Sequence, residues 1–390
     1  MTREITVGLA GCGVVGGALV RLLHDSGPTI EARYGVRFAL SSVLVRDAAR
    51  DRCLPISRSL FTSDRGVFIA DDAEIVVEAT GNSEAASQIA RSALGRGRRF
   101  VTANKELIAS EGAELALIAR STSAALDFGA SVGGSAPVIP LLRDLIGAST
   151  PKSVRGILNG TSNYVLSLVE RGATLEEALA SARVRGLAEQ DSSRDIDGRD
   201  IAAKLAIVAW VAFGVSPARL DISRFGIGTH TSRLVDVAAS LGGCVRLLGE
   251  CAVVGDRRVA VYVEPVVVAK DHAFARTEFE DNRVEVDLGW TAPLSVSGPG
   301  AGGLPTATAI LGDLLGAVYP RTDRFAHKEQ SFICTEDPRD HRWLVIHEDR
   351  YEVVTARRNV LREKLGLLGA DERNVAVARL EILARSPEIE

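Results

Sequence analysis

The chain has 390 residues, 46% hydrophobic and 25% charged, which is enough for two packed domains with the surface of an ordinary soluble protein. Its 46 basic against 50 acidic residues leave a formal charge of -4, which offers no footprint for nucleic acid or for an acidic membrane surface. Five scattered cysteines without C-x-x-C spacing argue against a disulfide framework or a zinc site and fit a reducing, cytoplasmic setting. No charged leader followed by an apolar stretch opens the sequence, and no run of about eighteen apolar residues occurs, so neither secretion nor membrane spanning is expected.

In chain order, "REITVGLAGCGVVGGALVRLL" reads as a buried strand at 5 to 9, a glycine turn and a helix. Apolar strands follow at 39 to 45, 73 to 79, 100 to 102 and 124 to 128, with helical patterns such as 84 to 95 and 110 to 121 between them. Alternation of this kind predicts a Rossmann-type doubly wound parallel sheet with helices on both faces, hence an α/β fold. From about residue 150 the pattern mixes strands at 153 to 158, 259 to 268 and 283 to 288 with helices at 162 to 170, 175 to 184, 198 to 213 and 230 to 240, as an α+β domain would. A glycine-rich loop and helix at 296 to 325 are expected to rejoin the first domain. The reading is therefore a dinucleotide-binding domain at 1 to 137, a substrate-binding, catalytic and dimerisation domain at 138 to 295, and an extension at 326 to 390. In that extension, strands are predicted at 343 to 346, 351 to 354 and 375 to 383, and a helix at 356 to 366.

Gly11, Gly13 and Gly16 form G-x-G-x-x-G after a strand and at the mouth of a helix. There the three glycines serve the tight turn, close approach to a pyrophosphate and helix packing, with Val14 and Val15 opening the helix. Arg46 ends the second strand where a site for NAD usually offers a carboxylate. It can meet the 2′-phosphate of NADP, while Asp47 beside it keeps NAD open. Thr80 and Gly300, in turns at 80 and 298 to 303, are counted with the cofactor contacts. Lys105 follows a strand end, where ligands of open α/β sheets bind. Gly160 and Thr161 lie in a turn-rich segment with backbone groups and a hydroxyl available to a substrate.

The stretch "AEQDSSRDIDGRDIAAKLAIVAW" moves from a cluster of carboxylates into an oily helix carrying one lysine. Asp200 and Lys204, four apart, share a helix face; with only apolar residues beyond them until Gly214, the pair is expected to face an enclosed space. Lysine is scarce here, six residues against forty arginines, and its ammonium, unlike guanidinium, can trade a proton.

Four segments together resemble the homoserine dehydrogenase family: TANK (102 to 105), GILNGTSNY (156 to 164), EQDSSRDIDGRDIAAK (189 to 204) and GPGAGGLPTA (298 to 307). The resemblance spans roughly residues 3 to 325. It implies reversible NAD- or NADP-linked interconversion of L-aspartate 4-semialdehyde and L-homoserine, usually in a homodimer built through the second domain. Carried over by position, Lys204 is similar to the family's proton donor and Lys105 to the residue that holds the substrate oxygen beside the nicotinamide. Glu189 and Asp195 resemble the carboxylates that bind the substrate ammonium, and Asp200 the partner that orients the lysines. The family also holds a monovalent cation, Na or K, on backbone carbonyls that here belong to Gly129, Val132, Gly134 and Ala136.

Departures from the family pattern are Gly129 in place of a usual acidic residue, Leu187 in place of tyrosine in G-Y-A-E, and Ser192 in place of proline. They keep a second reading open, the same hydride chemistry on another amino aldehyde or amino alcohol. A third, a non-catalytic nucleotide-binding regulatory protein, is opposed by retention of Lys105, Lys204, Glu189, Asp195 and Asp200. The extension is shorter than a regulatory small-molecule domain needs, so no feedback site is expected.

Overall fold

A computed structural model describes residues 2–146, 149–188, 190–217, 220, 222–318, 332–347, 350–366 and 375–381. Two compact units emerge: Met1–Gly147 with Ser216–Ala218 and Ala301–Ala326, and Ala148–Val215 with Arg219–Gly300 and His327–Glu390.

The chain begins with β1 (Arg3–Ala10), α1 (Val14–Tyr34), β2 (Val36–Leu44), β3 (Phe61–Thr62), α2 (Arg65–Ala70), β4 (Ile75–Glu78), α3 (Ser83–Gly95), β5 (Arg99–Thr102), α4 (Lys105–Ser121), β6 (Leu126–Asp127) and α5 (Val138–Ile146). The six strands are all parallel, in the order β3-β2-β1-β4-β5-β6. This is the doubly wound arrangement expected, and its strand order reverses between β1 and β4, where such sheets open a crevice for a ligand. β4 is buried on both faces, as a parallel central strand should be.

The first unit runs past the expected boundary at 137 and includes α5. Pro140 lies in the first turn of α5, where a helix tolerates proline because the N–H groups there have no intrahelical acceptor.

The second unit contains β7 (Ser153–Ile157), α6 (Gly160–Val169), α7 (Leu175–Val184), α8 (Ser193–Ile196), α9 (Arg199–Phe213), β8 (Ser223–Arg224), α10 (Thr231–Ser240), β9 (Gly243–Gly255), β10 (Arg258–Ala269), β11 (Asp281–Asp287) and β12 (Leu294–Pro299). The chain then leaves for α11 (Gly303–Leu315), which belongs to the first unit, and returns as β13 (Ile333–Cys334), β14 (His341–Ile346), β15 (Tyr351–Ala356), α12 (Arg358–Lys364) and β16 (Ala376–Leu380). Among the described residues the sheet runs β12-β11-β7-β9-β10-β16-β14-β15, with β8 and β13 also pairing β10.

The described part of residues 326 to 390, expected only as an extension of unknown role, belongs to the second unit and its sheet. β16 pairs with β10, and its Arg379 meets Glu250 at 2.6 Å and Glu264 at 3.2 Å, while Arg358 of α12 meets Glu264 at 2.6 Å. Buried charges of this kind persist only when paired, and here the pairing ties the tail to the sheet. Trp343 of β14 is fully buried and meets Phe225 edge-on at 5.8 Å.

α9 rests on β9 through an absent side chain. A Cβ at Gly249 would come within 2.8 Å of the Ile201 side chain, so glycine lets the helix approach the strand. Eleven residues of α9 are buried, Trp210 and Phe213 among them, as expected of core positions. Lys204 and Asp200 are the half-buried polar residues of this helix.

Candidate active site

In the first unit the glycine loop adopts the geometry its motif demands. Gly11 has a φ of 91°, donates to the Leu44 carbonyl at 2.9 Å, and has no room for a Cβ, which would lie 2.5 Å from the Ala79 carbonyl oxygen. At Gly16 a Cβ would lie 2.0 Å from the Gly11 carbonyl oxygen, so helix and turn pack without a side chain between them. Gly13 differs: nothing lies within 4 Å of where its Cβ would be. No side chain caps α1 at Gly13, and Val14 is 79% exposed. Open space before uncapped helix N–H groups is what an anionic pyrophosphate needs.

Arg46 is exposed just beyond β2. The neighbouring Asp47 turns Oδ1 onto its own backbone, accepting from Ala49 N at 2.9 Å and Arg50 N at 3.2 Å. Thr80 lies against the Gly11 turn, its N–H 2.8 Å from where a Gly11 Cβ would be. Lys105 is the first residue of α4, which Asn104 caps by accepting from Leu107 N at 3.0 Å.

After β6 the buried loop 129 to 136 opens with a 3-10 turn, Gly129–Ser131, and passes through Gly133 and Gly134 at φ of 88° and 58°. Its glycine at 129 has a physical reason. A Cβ there would stand 2.7 Å from Asp313 Oδ1 and 3.0 Å from Oδ2, so a carboxylate from α11 fills the volume a side chain would take. Burial, reinforced by nearby Asp127, pushes the Asp313 carboxyl up to about 7 against the opposing pull of Arg143 and of the Gly129 and Ala130 N–H groups. Asp313 Oδ2 is buried without a hydrogen-bond partner among the described residues. An orphaned carboxyl oxygen beside a loop of buried carbonyls suits a hard cation.

In the second unit, Lys204 and Asp200 pair at 2.8 Å, each side chain 13% exposed. The Lys204 ammonium also donates to the Leu158 carbonyl at 2.6 Å. Asn159 Nδ2 donates to Asp200 Oδ2 and to Asp195 Oδ1, both at 2.8 Å, while its Oδ1 caps α6 by accepting from Ser162 N at 2.7 Å. One amide therefore joins the carboxylates of α8 and α9 to the start of α6. Asn159 was not among the residues singled out from sequence; its N-cap position ahead of "GTSNY" was the available signal.

Other expected site residues have packing tasks. A Cβ at Gly160 would lie 2.6 Å from the Glu280 carbonyl oxygen, and Thr161 donates to the Leu187 carbonyl at 2.7 Å. Gly300 belongs to the second unit, whereas the other cofactor positions named from sequence belong to the first, and a Cβ at 300 would come within 2.2 Å of the Asn282 side chain. Glu189 lies outside the described residues.

The family profile for homoserine dehydrogenase matches residues 137–315, and the profile for its NAD binding domain matches residues 11–128. The homoserine dehydrogenase of Mycobacterium tuberculosis is 37% identical over 338 residues, 83% of this chain and 76% of that protein. The chain belongs to the homoserine dehydrogenase family. The Mycobacterium leprae member is 39% identical over 325 residues, 82% of this chain and 73% of that one. A crystal structure of a homoserine dehydrogenase from Thiobacillus denitrificans superposes with a TM-score of 0.84 at 27% identity, covering 98% of this chain and 99% of that one.

As a homoserine dehydrogenase, the chain is an NAD(P)-dependent oxidoreductase that interconverts L-aspartate 4-semialdehyde and L-homoserine. Nothing favours a different substrate or a non-catalytic role. Among the described residues no helix is long and apolar enough to cross a membrane, and no three His, Cys, Asp or Glu side chains converge on a possible metal position.

Proposed function

We propose that Lys204 transfers the proton of this reaction and that Asp200 and Asn159 hold it for that purpose. The observation that carries the reading is the continuous hydrogen-bonded run from Lys204 through Asp200 and Asn159 to Asp195. Two of the ammonium's three N–H directions are taken, by Leu158 and Asp200, and a substrate oxygen would meet the third. When bound, the nicotinamide supplies or accepts the hydride. Alkoxide charge developing on the substrate oxygen is then met by an ammonium that both stabilises it and can give up a proton. In the oxidative direction the neutral amine takes the hydroxyl proton of homoserine.

Lys105, the first residue of α4, holds the substrate oxygen beside the nicotinamide. Asp195 and Glu189 receive the substrate ammonium, with Gly160 and Thr161 shaping the adjoining turn. The first unit would hold the cofactor on Gly11, Gly13, Gly16 and the α1 N-terminus, with Val14, Val15 and Thr80 bordering it; Gly300 is counted with the cofactor contacts on the family resemblance alone.

Arg46 directs the preference to NADP, since it stands exposed at the end of β2 while one Asp47 oxygen is occupied by backbone N–H groups. The carbonyls of Gly129, Val132, Gly134 and Ala136 would hold a Na or K ion, with Asp313 balancing its charge. The protein works in the cytoplasm as a homodimer formed through the second unit.

The test is homoserine-dependent reduction of each cofactor, followed by the near-ultraviolet absorbance of the reduced nicotinamide. Turnover with NADP exceeding that with NAD is the expected result; equal or higher kcat/KM with NAD would remove the role given to Arg46.

A further inference from the structure

β4 runs Ile75, Val76, Val77 and then Glu78, a carboxyl at 0% exposure in the middle of a parallel sheet. Burial there is costly, and a fourth aliphatic residue would pack without that cost. Glu78 has no ion-pair partner among the described residues. Instead its oxygens accept three hydrogen bonds: from Thr80 N at 2.7 Å and Thr80 Oγ1 at 2.6 Å on Oε1, and from Thr102 Oγ1 at 2.6 Å on Oε2.

Each contact leads to the cofactor end of the sheet. Thr80 abuts the Gly11 turn. Thr102, itself fully buried, accepts from Asn104 N at 2.9 Å, and Asn104 caps the helix whose first residue is Lys105. One carboxyl thus braces the turn behind the glycine loop on one side and the start of α4 on the other, across adjacent strands β4 and β5.

We propose that Glu78 is a positioning residue for hydride transfer: it fixes the separation between the Gly11–Thr80 turn and the Lys105 end of α4. The inference rests on the assignment of Lys105 to the substrate oxygen. Glu78 touches neither substrate nor cofactor and acts through Thr80, Thr102 and Asn104. A glutamine in its place keeps the volume but cannot accept at both ends. If its amide faces Thr80, the Thr80 N–H loses its acceptor; if it faces Thr102, the Thr102 hydroxyl proton loses its carboxylate acceptor and a charge-assisted bond on the α4 side is replaced by a weaker neutral one of reversed direction.

The experiment compares the full-length wild type with Glu78→Gln, Thr102→Val and Lys105→Ala, using homoserine carrying deuterium on its hydroxymethyl carbon. For the first two variants, kcat falls at least about 10-fold, toward the ~10²-fold that a 1 Å misplacement costs, and the primary isotope effect on kcat rises because the hydride step is slowed. Merely weakened folding would lower the active fraction and leave the isotope effect unchanged. Folded Glu78→Gln and Thr102→Val with wild-type kcat and isotope effect would overturn the proposal while an inactive Lys105→Ala leaves the lysine assignment standing. Full turnover by Lys105→Ala would remove that assignment and the proposal together. Should Glu78→Gln fail to fold, Thr102→Val decides alone, since it removes the link to α4 and leaves Glu78 with Thr80.

Discussion

The Lys204 ammonium stands 2.8 Å from the Asp200 carboxylate on one face of α9, with both side chains largely withdrawn from water. Removing one partner of so enclosed a pair costs more than removing both, because the survivor keeps its desolvation penalty. Asp200→Asn preserves shape but takes away the counter-charge. We expect kcat to fall about 10- to 100-fold, the equivalent of about 1.5–3 kcal/mol for a hydrogen bond to a charged group, with cofactor affinity unchanged. Steady-state kinetics and a cofactor titration check this; unchanged kcat would show that Lys204 needs no partner.

Asn159 separates two carboxylates by donating to both. Serine at 159 retains the helix cap but not the amide, so Asn159→Ser leaves Asp195 and Asp200 without their shared donor. The expected outcome is a KM for homoserine raised about 10-fold, as for the loss of one charge-assisted hydrogen bond, with the melting temperature nearly retained. An unaltered KM would place the ammonium site elsewhere.

At position 129, restoring the acidic residue usual in the family should harm this protein. Its side chain would start within 2.7 Å of Asp313 Oδ1. Gly129→Glu is expected to destabilise by about 1–3 kcal/mol, the usual cost of overpacking, with like-charge repulsion added. Gly129→Glu combined with Asp313→Ala should recover much of the loss. Thermal unfolding of the three variants tests this, and a Gly129→Glu protein as stable as the wild type would mean that the loop yields freely.

Arg46→Ala should raise the Kd for NADP about 10- to 100-fold, the loss of a charged hydrogen bond to phosphate, and leave that for NAD within about 2-fold. Fluorescence titration with both reduced cofactors measures it. Parallel weakening of both would assign Arg46 to the shared part of the molecule.

Asp337 sets part of the acid limb of stability. Its side chain is fully buried, which alone would raise its pKa, yet hydrogen bonds from His341 and Arg339 outweigh burial and hold the carboxyl far below the usual carboxylate range. A depressed folded pKa means that folding favours the ionised form. The stabilisation is present in full above the unfolded value of about 4, and is lost progressively as pH falls below it. Asp337→Asn should lower the melting temperature at neutral pH and flatten its decline below pH ~4. Identical acid limbs in both proteins would contradict this.

Much of the first unit is legible because its signals are local, a glycine motif adjoining a strand and apolar runs of strand length; the cap at Asn104 was missed, and its helix begins at Lys105 rather than at the expected 110. The Asp200–Lys204 pair was readable for the same reason, being one helical turn apart. β9 was not, since ten consecutive buried residues give no alternation, and two of them, Arg246 and Glu250, look like surface charges. Their partners, Glu170 and Arg379, lie 76 and 129 residues away. Asn159 likewise reaches Asp195 and Asp200 across 36 and 41 residues, and the collision that keeps 129 a glycine comes from α11. Contacts of that range depend on tertiary packing, which sequence spacing does not encode.

The decisive measurement is the turnover of Lys204→Ala with homoserine and NADP, beside the affinity of the same variant for the cofactor. Loss of kcat by about 10²- to 10⁴-fold, the worth of a positioned proton-transfer group, with cofactor affinity intact is the predicted result. A variant that oxidises homoserine at the wild-type rate would contradict it, and proton transfer would have to be assigned to another group.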